Sequence, residues 1–210
     1  MVFLRSFTVP DLPQVIPAGT LHLRVPQVAD FVQWAELRQQ SREFLSPWEP
    51  IWPRDDLTRS AFRRRVRRYH QDMREDTGYA FFICRNSDDA LLGGVTLGNV
   101  RRGVTQSCSV GYWTGKPYAH RGVMSRAIAG IIPFVFDQLR LNRLEAACLP
   151  HNEASIRVLE KAGFQREGLA RKYLCINGMW QDHLLYALLH GDPRAGAEEP
   201  EFADEEAAGA

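Results

Sequence analysis

Cysteine is scarce and scattered in this 210-residue chain. Cys84, Cys108, Cys148 and Cys175 include no C-x-x-C pair, and each sits in or beside an apolar, strand-like run. That spacing argues against a disulfide framework or a thiolate metal site and for separate thiols packed in a core, so no metal is expected. Long hydrophobic runs are missing as well. The longest, residues 128–136, falls well short of the roughly 20 apolar residues a membrane span needs, and Arg5, Pro10, Asp11 and Pro13 interrupt the N-terminus before an apolar signal core develops. A soluble cytoplasmic protein with no membrane contact is the expectation. Net charge is small too, at +1, but it is unevenly spread. Seven acids and one arginine fall in the last twenty residues, which leaves the preceding 190 with 25 Lys and Arg against 18 Asp and Glu. A basic body suits polyanionic ligands.

A hydrophobic content of 45% over this length supports one well-cored domain. A Pro-rich leader (1–19) is expected before it, the domain itself over 20–190, and an acidic, disordered tail over 191–210. Leu21 to Val25 alternates like a half-buried strand, and Pro26 opens a helical pattern through Val28, Phe31, Val32, Ala35 and Leu37. Residues 44–53 (FLSPWEPIWP) combine two Trp with three Pro and read as an irregular loop, either a lid on the core or a substrate contact. Asp55 and Asp56 suit the start of the next helix, whose apolar stripe is Leu57, Ala61, Phe62, Val66, Tyr69 and Met73. Its other face carries Arg59, Arg63, Arg64, Arg65, Arg67 and Arg68, a solvated surface or a contact for RNA or an acidic protein.

Three meandering strands follow, over 79–85, 91–99 and 106–113. A long helix then begins near Gly122, with Pro133 predicting a kink or break in its interior. A short strand over 143–149 leads into a helix stopped by Gly163, and strands over 164–168, 172–176 and 182–189 finish the fold, with Asn177-Gly178 as a hairpin turn. Residues 119–126 (AHRGVMSR) lie where strand passes into helix. A helix start presents unpaired N–H groups, Gly122 permits close backbone approach, and His120, Arg121 and Arg126 add donors, so this segment is a candidate anion cradle.

The order of these elements, with Asn152-Glu153-Ala154-Ser155 leading through Leu159, Lys161 and Gly163-Phe164, resembles the GNAT family of acyl-CoA-dependent N-acetyltransferases, whose helix motif is N-x-x-S...L-x-K-x-G-F. Gly111-Tyr112-Trp113 before it and 176–183 (INGMWQDH) after it are similar to the RimJ/RimL branch, which acetylates N-termini of ribosomal proteins. The resemblance implies an α/β (α+β) fold with a mixed, mostly antiparallel central sheet flanked by helices. It also implies acetyl-CoA as co-substrate: His120, Arg121, Gly122, Val123, Met124 and Ser125 hold its pyrophosphate, while Tyr112, Trp113 and Asn152 meet the pantetheine arm. The tyrosine acid of many members falls here on Leu159, so Ser155 takes the role of catalytic acid. The glutamate base of RimL-like members falls on Leu174, which leaves His151, Glu145, Tyr173 and His183 as candidates.

A strong base is dispensable for one acceptor class. With a pKa near 7.8, about one α-amine in seven is neutral at pH 7, against about one lysine in 2,500. The acceptor expected is therefore the N-terminus of a protein, a ribosomal protein by resemblance. A small amine such as a polyamine or antibiotic, and a non-catalytic CoA- or RNA-binding module, stand as the alternatives.

Overall fold

The computed structural model describes residues 15–193. Most of the expected leader and most of the expected tail lie outside that span. Among the described residues, eight strands form one sheet in the order β1-β2-β3-β4-β5-β6-β8-β7: β1 Val15–Ala18, β2 Leu21–Arg24, β3 Tyr79–Arg85, β4 Leu91–Arg101, β5 Ser107–Thr114, β6 Arg143–Cys148, β7 Gln165–Ile176 and β8 Met179–Leu189. Every neighbouring pair is antiparallel except β5 and β6, so the expected mixed, mostly antiparallel sheet is present. Five helices flank it: α1 Phe31–Gln40, α2 Arg42–Leu45, α3 Arg59–Arg74, α4 Val123–Pro133 and α5 Glu153–Lys161.

The central strand β3 explains the layering. It has no polar alternation because both its faces are covered: Tyr79, Phe81 and Ile83 pack with α4 and α5, whereas Phe82 and Cys84 pack with Trp34 and Leu37 of α1 and Phe62 and Val66 of α3. Two helical layers thus sandwich one sheet, and the larger core lies under α4.

Several local expectations changed on folding. Val15–Ala18, placed by sequence in the leader, pairs with β2 as the edge strand. Thr58, not Asp55 or Asp56, caps α3 by accepting from the Ala61 N–H at 3.2 Å; the two aspartates instead bind Arg64 and Arg65 of the same helix. The two strands expected over 164–176 are one strand, β7, whose register shifts relative to β8 between Ala170 and Leu174. Pro133 ends the α-helical hydrogen bonding as expected, and residues Phe134–Gln138 continue as a π-helix, which accommodates the missing N–H by widening the turn. Gly163, at φ +93°, closes α5 with the Phe164 N–H bonded to the Leu159 carbonyl at 3.0 Å and its own N–H to Glu160 at 3.1 Å.

Gly130 sets how closely α4 approaches the sheet edge, since a Cβ there would meet the Pro17 carbonyl and the Ala18 Cβ at 2.9 Å each. Helix propensity favours Ala over Gly by about 1 kcal/mol, and overpacking opposes it by about 1–3 kcal/mol. Gly130→Ala is expected to destabilise the protein by about 1 kcal/mol in urea unfolding; a gain in stability would show that β1 yields freely.

Candidate active site at the parting of two strands

The parallel ladder between β5 and β6 runs only through Ser107–Arg143, Cys108–Leu144 and Ser109–Glu145. Beyond it the strands part, and a cavity of about 750 Å³ opens between Gly111, Tyr112, Trp113 and Thr114 on one side and Ala147, Cys148 and Leu149 on the other. Parting leaves backbone N–H and C=O groups facing the cavity without a strand partner, so an extended ligand can take their hydrogen bonds.

Both helices that follow these strands begin at the same opening. The turn before α4 holds His120 at φ +58° and Gly122 at φ +70°, a left-handed pair that aims the first turn of the helix at the cavity. Gly122 is the N-cap, and no side chain caps this end. The Arg126 N–H is bonded to the Gly122 carbonyl at 3.2 Å, which leaves the N–H groups of Val123, Met124 and Ser125 for an anionic guest. His120, Gly122, Val123, Met124 and Ser125 all line the cavity. Arg121 does not. It lines a neighbouring cavity of about 650 Å³ with Arg85, Arg126 and Gly19, and its carbonyl accepts from Arg126 Nη2 at 3.0 Å. The alternating backbone turn of 120–122 sends consecutive side chains to opposite sides, a detail that spacing alone does not encode.

At the start of α5, Asn152 Oδ1 accepts the Ser155 N–H at 3.1 Å, which caps the helix and leaves the Asn152 NH₂ as the group able to donate. Ser155 Oγ lies 2.7 Å from the Tyr112 hydroxyl, across the gap between the parted strands. Burial pushes the Tyr112 phenol far above its ordinary range, so at neutral pH both hydroxyls of this pair carry a proton and either can donate to the other. Cys148 lies beside Ser155, and burial pushes its thiol up to about 11, so it is protonated and unreactive at neutral pH. Leu159, where a tyrosine was sought, is fully buried in the core. Sequence reading gave Tyr112 to cofactor binding only; its pairing with Ser155, 43 residues away, depends on where two elements cross.

A third wall comes from the aromatic, Pro-rich segment. Phe44, Leu45, Trp48 and Glu49 line the cavity together with Leu174, Ile176 and His183 of the β7–β8 hairpin. Glu49 is held by Arg38, whose Nη1 and Nη2 donate to its two oxygens at 2.7 Å each, and by Trp52 Nε1 at 2.7 Å. Arg38 is only 6% exposed and lies between the Trp52 ring at 3.9 Å and the Trp113 ring at 4.9 Å. The Glu49 carbonyl accepts from the Asn177 N–H at 2.9 Å, which ties this wall to the hairpin turn. Neither Arg38 nor Glu49 was legible as a site residue, since a charged pair eleven residues apart across a proline has no periodic signature.

The sequence-derived base candidates separate. His151 lines the cavity, with its ring 5.5 Å from that of Trp48. His183 also lines it; its Nδ1 lies 3.0 Å from the Gln181 carbonyl, and its ring packs against Tyr173 at 5.8 Å. Tyr173 itself is 48% exposed, and Glu145 is bonded to Arg143 at 2.8 Å. Elsewhere, His22, Cys84 and Asp89 bring their donor atoms within 4.8 Å of one another. Burial pushes the Cys84 thiol up to about 12 and the Arg24 guanidinium lies on Asp89, so this trio is poorly suited to a cation. Among the described residues, no helix is long and apolar enough to cross a membrane.

Comparison with known proteins agrees with this geometry. The acetyltransferase (GNAT) domain family matches residues 20–165. A probable N-acetyltransferase, YjcK of Bacillus subtilis, is 37% identical over 178 residues, 85% of this chain and 98% of that protein. The uS5-alanine N-acetyltransferase of Escherichia coli is 28% identical over 183 residues, 87% of this chain and 94% of its own. The structure of Mycobacterium smegmatis RimJ in complex with CoA-disulfide superimposes with a TM-score of 0.78 at 30% identity, covering 85% of this chain and 86% of that one. Strand parting, open helix start and family match converge, and the chain belongs to the GNAT family of acetyl-CoA-dependent N-acetyltransferases.

Proposed function

We propose that the protein transfers the acetyl group of acetyl-CoA to the N-terminal α-amine of a protein, a ribosomal protein in the first instance, by direct attack of the amine on the thioester. The observation that carries the reading is the Tyr112–Ser155 hydrogen bond at the opening between β5 and β6. Acetyl-CoA supplies an activated acyl group. Toward its pyrophosphate the chain offers the N–H groups of Val123, Met124 and Ser125 beside His120 and Gly122. The helix dipole at an exposed start is worth only about 0.3–1 kcal/mol, so the amide hydrogen bonds supply most of the grip. Along the cavity, Tyr112, Trp113 and the Asn152 NH₂ face the arm. Ser155, hydrogen-bonded to Tyr112, donates its proton to the departing sulfur and regains one from solvent, to which the amine releases its own, so that the amide and the free CoA thiol are the products. Leu159 has no group that could perform that task.

The acceptor reading is supported by the uS5-alanine N-acetyltransferase relative, 28% identical over 87% of this chain. A polyamine or antibiotic acceptor is the competing reading. In addition, Arg63, Arg67 and Arg68 are exposed on α3, a face suited to RNA phosphates next to a ribosomal acceptor.

Incubation with acetyl-CoA and peptides carrying ribosomal-protein N-termini is expected to give α-N-acetyl peptides by mass spectrometry; turnover of small amines alone would assign the acceptor to the other class. Ser155→Ala should lower kcat by about 10- to 1,000-fold, in the range for a lost general acid or oxyanion donor, with acetyl-CoA affinity unchanged. An intact kcat would remove Ser155 from the chemistry. Gly122→Glu forces a side chain and a negative charge onto the open helix start, and should weaken acetyl-CoA binding by at least about tenfold in calorimetry. Unaltered affinity would place the pyrophosphate elsewhere.

A further inference from the structure

The chain holds one carboxylate at the cavity wall with unusual thoroughness. Glu49 receives both arms of the Arg38 guanidinium and the Trp52 indole N–H, its carbonyl is bonded to the hairpin turn at Asn177, and Arg38 is clamped between two indole rings. The clamp extends into the sheet. A Cβ on Gly94 would lie 2.7 Å from Trp113 Nε1, and one on Gly93 would lie 2.3 Å from the Trp113 carbonyl, so two glycines of β4 make the room in which Trp113 sits. Stability does not account for this arrangement. A buried ion pair recovers little more than its desolvation cost, and Arg38 Nε is left without a partner.

Position accounts for it better. The cavity is lined by two carboxylates, Glu49 and Glu153. The Glu153 side chain is 78% exposed and turned along α5 to Arg157, whereas that of Glu49 is 21% exposed in a cavity that apolar Leu174 and Ile176 also line. Three donors occupy the Glu49 oxygens, two of them on Oε2, so Oε1 keeps capacity for one more N–H.

We propose that Glu49 Oε1 is the anchor for the acceptor amine, and that Arg38 positions it and balances its charge. The balance matters chemically. A bare carboxylate would hold the acceptor as an ammonium ion, which has no lone pair to attack with. A carboxylate already paired with a guanidinium accepts one amine N–H and orients the neutral nitrogen without trapping its proton. The same pairing discriminates between acceptors, because an uncharged group without an N–H leaves the second lone pair of Oε1 without a donor in a partly desolvated site. Glu49 is thus a substrate-binding residue and Arg38 a positioning residue.

This inference rests on the acetyl-transfer reading but not on the class of amine, so the test uses whichever amine the full-length protein acetylates. Glu49→Gln keeps the size of the side chain and one acceptor oxygen. It is expected to raise KM for the amine by at least about tenfold, the value of a lost charge-assisted hydrogen bond, while acetyl-CoA affinity by calorimetry stays within about twofold. A second measurement needs no variant. An analogue of the acceptor in which the reacting NH₂ is replaced by hydrogen should bind the wild-type protein at least about tenfold more weakly than the acceptor itself, and in Glu49→Gln that ratio should fall toward one. Arg38→Lys, which loses the paired geometry but keeps the charge, should raise the amine KM as well. An unchanged amine KM in Glu49→Gln, or equal wild-type binding of amine and analogue, overturns the proposal. Absence of turnover on every amine would instead overturn the transfer reading.

Discussion

Three residue pairs of parallel ladder hold β5 to β6, and then the strands separate. Everything at the site depends on that separation. A sheet that continued to pair would satisfy its own backbone and close the cavity; a sheet that parted earlier would lose the register that places Tyr112 opposite the start of α5. Because each parted strand runs directly toward a helix, the starts of α4 and α5 face the same gap. One start is left open for an anion, and the other is closed by Asn152 and carries Ser155. The polarity of the two helices and the free strand edges therefore act on one ligand from adjacent sides.

The remaining wall is assembled from segments that are distant in the chain. α1 brings Arg38, the Pro-rich segment Glu49 and Trp52, β5 Trp113, and the hairpin turn Asn177. Proline and tryptophan suit this role, since a segment with little backbone freedom loses little entropy on ordering and broad aromatic faces cover a guanidinium without requiring further donors. The result is a cavity with one side made largely from backbone at a helix start and another made from side chains.

Much of the architecture was legible in short patterns with local physical causes. The Gly163 stop and the Asn177-Gly178 turn formed where the residues predicted them, because each depends on a φ above zero available within a few residues. The covered strand β3 lacked alternation for the reason its burial shows. Less legible were features decided by partners. Pro133 predicted an interruption, but the π-helix that follows it accompanies the packing of Phe134, Val135 and Phe136 into the core, which the proline alone does not encode. Asp55 and Asp56 suited a helix start by composition, and lost that role to Thr58 once Arg64 and Arg65 offered them ion pairs.

The sequence by itself determined the element order, the basic glycine turn before α4 and the Asn–Ser start of α5, and with them the family. These depend on short-range stereochemistry, which a linear pattern records directly. Only the tertiary structure decided that Tyr112 meets Ser155, that Arg121 turns away from the cavity its neighbours line, and that Glu49 is held at the wall by Arg38. Such contacts depend on the crossing of elements tens of residues apart and on which way each side chain leaves the backbone, and no spacing along the chain carries that information.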